Sequence, residues 1–296
     1  MTVRSVFNNG RILSEDEMRL IAPSIFATAP HESRSAKFKP IATIEVLREL
    51  AKEGFHPVSV QQQGARNSDR IRFSKHLIRM RAFHSDADIK NLQVGDTIAE
   101  VVLKNANDGT SLYQLFAGLF RIACLNGMVS QSKQLETMKI RHIFNDPNPR
   151  ALMDQVIEGS YKITHDADRV LEAPRSWSKL QLESSARYSL ASRAHHLTFA
   201  DADGTLNTPI KPEQLLEARR ESDKGTDLWS VFNVIQENVM RGGLENFSVR
   251  ETQRWGRVET RVRTHPINAI DRSLKLNMGL FDLAESAYKE LTPVEA

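Results

Sequence analysis

Thr97-Ile98-Ala99-Glu100-Val101-Val102-Leu103-Lys104 is the stretch that decides how the rest of the chain reads. Side chains on a strand alternate between faces, so Ala99, Val101 and Leu103 share one face here. The next residues, Asn105-Ala106-Asn107-Asp108-Gly109, are turn formers. Beyond them, 112–124 reads as a long buried strand. Asn126-Gly127 is a hairpin signal, and 134–143 reads as the returning strand. Upstream, Pro57-Val58-Ser59-Val60 begins a strand, 64–69 connects, and 71–83 makes another. The span 55–143 is thus expected to be an antiparallel meander of about five strands.

After Pro147 and Pro149 the pattern turns helical, with candidates at 150–161, 176–196, 212–222, 226–241 and 268–291. Thr226-Asp227 can cap a helix whose inward stripe is Leu228, Phe232, Ile235 and Val239, and Gly242-Gly243 ends it. A second hairpin is expected near 247–264. Before the meander, Ile44, Val46, Leu47 and Leu50 recur at helical spacing, and Gly54 is a natural stop. Residues 1–40 read as an irregular arm, in which Ser14-Glu15-Asp16-Glu17 can cap a short helix and Pro23, Pro30 and Pro40 interrupt. Sheet first and helices afterwards means α+β, an antiparallel meander followed by helices packed against it. The parts are an arm at 1–40, a β-rich core at 41–149 and a mainly helical part at 150–296, read as one continuous domain with the core.

Composition narrows the function classes. Of 296 residues, 40% are hydrophobic and 26% charged, which is ordinary for a globular protein. Cys124 is the one cysteine, so neither an internal disulfide nor a cysteine-rich metal site can form. The most apolar segment, 112–123, is broken by Gln114, Gly118 and Arg121 and is too short to span a bilayer. No signal peptide is visible at the N-terminus. The expectation is a cytoplasmic protein with no membrane association.

Two longer stretches carry a family resemblance. One is Tyr113-Gln114-Leu115-Phe116-Ala117-Gly118-Leu119-Phe120-Arg121-Ile122-Ala123-Cys124-Leu125-Asn126-Gly127-Met128-Val129. The other is Leu228-Trp229-Ser230-Val231-Phe232-Asn233-Val234-Ile235-Gln236-Glu237-Asn238-Val239-Met240-Arg241-Gly242-Gly243. Together they resemble the phage/plasmid-like protein family, a domain of unknown function. The resemblance implies an origin on a phage, plasmid or integrative element and life in a bacterial cytoplasm. It brings no reaction and no catalytic residues.

Charge distribution supplies the functional lead, since the net charge of +3 says little. Arg66, Arg70, Arg72, Lys75, Arg79 and Arg81 face the single acid Asp69 within 66–81. On an extended strand Lys75, Arg79 and Arg81 share a face, a row that could track phosphates, with Phe73 for stacking. A second cluster, Arg250, Arg254, Arg257, Arg261 and Arg263, surrounds Trp255 and meets only Glu251 and Glu259. Bases stack on aromatics while guanidinium groups hold phosphates, the pattern that suits single strands. Arg121 lies opposite Phe120 and Ile122 and is expected to reach a groove. The alternative for all of these is an ordinary solvated face paired with acids.

Other chemistry is thinly represented. Leu197 to Leu206 contains Asp201 and Asp203 and resembles the nucleophile motif of haloacid-dehalogenase-type phosphatases. No downstream acidic pair and no alternating strand-helix order follow, so an exposed turn is the better reading. The histidines show no zinc spacing, and neither a phosphate-binding glycine loop nor a serine elbow is present. No cofactor, metal or catalytic residue is expected. The reading is a nucleic-acid-binding accessory protein of a mobile element, with single-stranded DNA favoured and binding or annealing as the activity. A non-catalytic role against host proteins is the alternative, a phosphatase-like enzyme the remote one, and a homo-oligomer stays open.

Overall fold

The computed structural model describes residues 3–7, 11–65, 67–83, 97–121, 138–142, 151, 154–155, 157–159, 161–162, 172–252 and 256–292. The chain divides into two compact units, Met1–Leu171 and Glu172–Ala296. It is α+β, as the order of patterns required.

In the first unit, strands β1 (Val3–Phe7), β2 (Phe55–Gln63), β3 (His76–Ala82), β4 (Thr97–Asn105), β5 (Tyr113–Arg121) and β6 (Met138–Ile140) form one sheet in sequential order. Every neighbouring pair is antiparallel. The register aligns Val60, Ile78, Leu103 and Leu115 in one row across four strands, and all four are fully buried. Helix α2 (Thr43–Lys52) packs on β2 and buries Ile44, Val46, Leu47 and Leu50.

Beside that apolar row runs a polar one, Gln62, His76 and Asn105. It binds the first residue of α2 and Ser24, in the segment before it, to the sheet. Asn105 Nδ2 donates to Thr43 Oγ1 at 3.0 Å, and Thr43 Oγ1 lies 2.9 Å from His76 Nε2. On the other side of the ring, His76 Nδ1 is 2.8 Å from Ser24 Oγ, which donates to Gln62 Oε1 at 2.7 Å. These directions assign His76 the neutral tautomer with its proton on Nδ1. The Ser24–His76 pair resembles a nucleophile and its base, but both residues are fully buried and serve the packing.

The short helix expected after Ser14 is present, while strand β1 in the arm and the split of the strand read at 71–83 depart from the sequence reading. Residues 1–40 contribute strand β1 and helix α1 (Glu15–Ile21), whose capping box joins Ser14 and Glu17. The strand read at 71–83 splits into a 3-10 turn, Ser68–Phe73, and β3. Asn67 accepts from the Asp69 N–H, and the Ser74 hydroxyl donates to the Ile71 carbonyl oxygen at 3.0 Å. Such side-chain bonds to nearby backbone compete with the strand ladder. Cys124 and the Asn126-Gly127 hairpin lie outside the described residues.

The second unit holds α3 (Ser184–Phe199), α4 (Leu228–Arg241), the hairpin β7 (Glu245–Thr252) and β8 (Gly256–Arg263), and α5 (Ile270–Leu291). Asp227 caps α4 by accepting from the Ser230 N–H at 2.9 Å, and Gly242 ends it at φ 63°. A side chain at Gly242 would run into the backbone of His265. Trp177, Trp229, Phe232 and Phe281 form one aromatic cluster around α4.

The neighbours Gln236, Glu237 and Asn238 cannot share one helix face, yet all three are buried. Each has its own polar partner. Gln236 donates to Asn277 of α5 at 2.9 Å, and Glu237 accepts from Arg220 at 2.6 Å and Arg241 at 3.0 Å. Asn238 accepts from Arg219 at 2.7 Å.

Candidate nucleic-acid interface

The row Lys75, Arg79 and Arg81 is not a solvent-facing surface. Their exposures are 7%, 5% and 3%. Arg79 reaches both oxygens of the buried Glu100, with Nε at 2.5 Å and a terminal nitrogen at 3.0 Å, and Arg81 reaches Glu100 at 2.6 Å. Alternation did place the arginines on one face, and the strand register then brought β4's carboxylate between them. Gly118 is the residue opposite Glu100 on β5, so no side chain from that position crowds the cluster.

Arg70 and Arg72 behave differently. They are exposed on the 3-10 turn Ser68–Phe73, at the end of the sheet where β2 passes to β3. Two further segments meet that turn. The Asn107 and Asp108 N–H groups donate to the Phe73 carbonyl oxygen at 3.0 and 3.1 Å, and the His31 N–H donates to that of Asn107 at 3.0 Å. His31 and Phe73 also meet edge to face, with ring centroids 5.4 Å apart. The Lys39 N–H donates to the His142 carbonyl oxygen at 2.6 Å, and Phe38 stacks on the His142 ring at 4.5 Å. Burial pushes the His142 imidazole below its ordinary pKa, so the stacked ring carries no charge at neutral pH.

These bonds gather Arg34, Lys37, Lys39, Arg70, Arg72 and Arg141 at one end of the sheet, all exposed. Among the described residues none of the six has a carboxylate within ion-pair distance. The exposed acids nearby are Glu32 and Asp69, while Asp108 is buried and accepts from Thr110 at 2.6 Å. Sequence reading missed Arg34, Lys37, Lys39 and Arg141. The signal was present: 33–43 holds three cations and no acid. What it lacked was any sign that this loop lies beside Arg70.

The second predicted cluster is charge-balanced where it is described. Arg261 and Arg263 both pair with Glu245, and Arg257 pairs with Glu259 at 3.2 Å. Arg66, Arg254 and Trp255 lie outside the described residues, as do the side chains of Arg121 and Arg250.

Asp201 and Asp203 sit on an exposed turn after α3, with Gly204 at φ 85°. Asp203 accepts from the Thr205 N–H at 2.9 Å, which holds its carboxyl below the usual range, and Asp201 accepts from Asn207 at 2.8 Å. Both carboxylates close the turn. Asp201→Asn combined with Asp203→Asn is expected to shift stability by less than about 1 kcal/mol, as exposed positions do. Loss of a magnesium-dependent phosphate release in that variant would reverse the assignment.

Comparison with known proteins gives a consistent family match. The profile of the family described as "Domain of unknown function (DUF932)" matches residues 30–274. Two Escherichia coli (strain K12) proteins are similar over nearly the whole chain. UPF0380 protein YafZ is 32% identical over 287 residues, covering 97% of this chain and 96% of its own length. UPF0380 protein YfjQ is 31% identical over the same share of each. No solved structure matches.

Proposed function

This chain belongs to the DUF932 family, and from that premise we propose that it is a nucleic-acid-binding accessory protein of a phage, plasmid or integrative element. It works in the bacterial cytoplasm and holds single-stranded DNA during replication or recombination. The observation that carries this reading is the group of six exposed cations at one end of the sheet, none of them paired with a carboxylate among the described residues. Ordinary surfaces intersperse charges of both signs, whereas a like-charged group drawn from separate loops attracts a polyanion. Phe38 and Phe73, both half-buried, add aromatic surface at the same end, where bases can stack.

Fluorescence anisotropy with labelled single- and double-stranded oligonucleotides across a salt series tests it. Affinity for a single strand is expected to fall with log salt at about −0.7 per phosphate contact. Arg34→Ala, Arg70→Ala and Arg72→Ala together should make that slope shallower by about 2 while leaving the circular dichroism spectrum unchanged. If the wild-type protein binds no oligonucleotide at low salt, the reading fails and a protein-interaction role takes its place.

A further inference from the structure

Among the described elements, β7 and β8 pack substantially only on each other. Asn246 ties the base of the hairpin to the body of its unit by donating to the Pro209 carbonyl oxygen at 2.7 Å. Farther out, Phe247 and Val249 are 57% and 47% exposed. A lone two-stranded ribbon is marginal in water, and exposed apolar side chains on it call for a cover.

The register says what fits. One face carries four cross-strand rows: Glu245 with Arg263, Phe247 with Arg261, Val249 with Glu259, and Glu251 with Arg257. In both outer rows β7 supplies the acid and β8 the arginine. A second copy turned by half a revolution about an axis parallel to the strands brings its β7 over this β8, row upon row. Glu245 then meets Arg263 of the second copy, Glu251 meets its Arg257, and Phe247 meets its Arg261 guanidinium, a favourable cation–π contact. Each contact occurs twice by symmetry. A half turn about an axis across the strands would instead set Glu245 on Glu251 and Arg263 on Arg257, like on like. With three arginines against three glutamates, the face offers a polyanion little and offers itself a great deal. We infer that this face of the hairpin docks on the same face of a second copy of the chain, about a twofold axis parallel to the strands.

Sedimentation velocity on the full chain tests the pairing. The wild-type protein should dimerise, and Glu251→Arg or Arg257→Glu alone should each weaken the dimer by at least about tenfold through like-charge contact. Mixing those two single variants restores both charge pairs in a heterodimer, so the mixture should associate like the wild type. Phe247→Ser, outside the charged rows, should also weaken the dimer. Three results overturn the inference: a wild-type monomer at every concentration, single variants that dimerise undiminished, or folded variants whose mixture stays monomeric.

Discussion

Glu100→Ala is expected to lower the free energy of unfolding by about 3–5 kcal/mol, the cost of breaking a buried ion pair from one side. Its side chain is 1% exposed and takes hydrogen bonds from Arg79 and Arg81, whose side chains are buried as well. Removing it leaves two desolvated guanidinium groups without the charge they share, and the cost is mostly that of their burial. Glu100→Gln should lose nearly as much, since shape is kept and charge is not. Replacing all three by methionine should recover most of the loss, because a packed apolar cluster has no desolvation to offset. Glu49→Ala is the contrast: its exposed pair with Lys52 is worth under about 1 kcal/mol. Equal urea midpoints for the Glu100 and Glu49 variants would show that the cluster is not dry.

Acidification is expected to cost about 3 kcal/mol of stability between pH 6.5 and pH 4. Burial pulls the fully buried His76 from 6.5 down to about 4. The unfolded chain takes up a proton as pH falls through 6.5, and the native state declines it until about 4. Stability from this residue is therefore complete above 6.5, drains away as pH falls, and levels off below about 4. At about 1.4 kcal/mol per pH unit that interval gives the stated loss. The hydrogen bonds supply a reason beyond burial, since a second ring proton would point at the hydroxyl proton Thr43 donates to Nε2. His142 and His56 are also held low by burial and act in the same direction. Denaturant unfolding at pH 8 and pH 5 measures the difference, and His76→Gln should shrink it. A wild-type protein equally stable at both values would refute the assignment.

The sites show where sequence information stops. Arg70 and Arg72 were legible as cations, and so were Arg79 and Arg81, nine residues on. Nothing local separates the two pairs. Arg70 and Arg72 are exposed because Asn67 and Ser74 fold the backbone into a 3-10 turn at the rim. Arg79 and Arg81 are buried because the register of β4 brings Glu100, 21 and 19 residues away, between them. Lys39 joins the same rim through a bond to His142, 103 residues distant.

By itself the sequence determined whatever depends on neighbours along the chain. Alternation at 97–104, the Asn107-Asp108-Gly109 turn, the Asp227 cap and the Gly242-Gly243 stop fixed that strand, its turn, the ends of α4 and the α+β class, because φ/ψ sterics and side-chain bonds to adjacent backbone act over a few residues. Tertiary structure alone decided which charged faces are covered, which loops share the cationic rim, and that Gln236, Glu237 and Asn238 are all buried. Burial and charge pairing depend on groups tens of residues apart, and a cation's cost or use is set by that distant company.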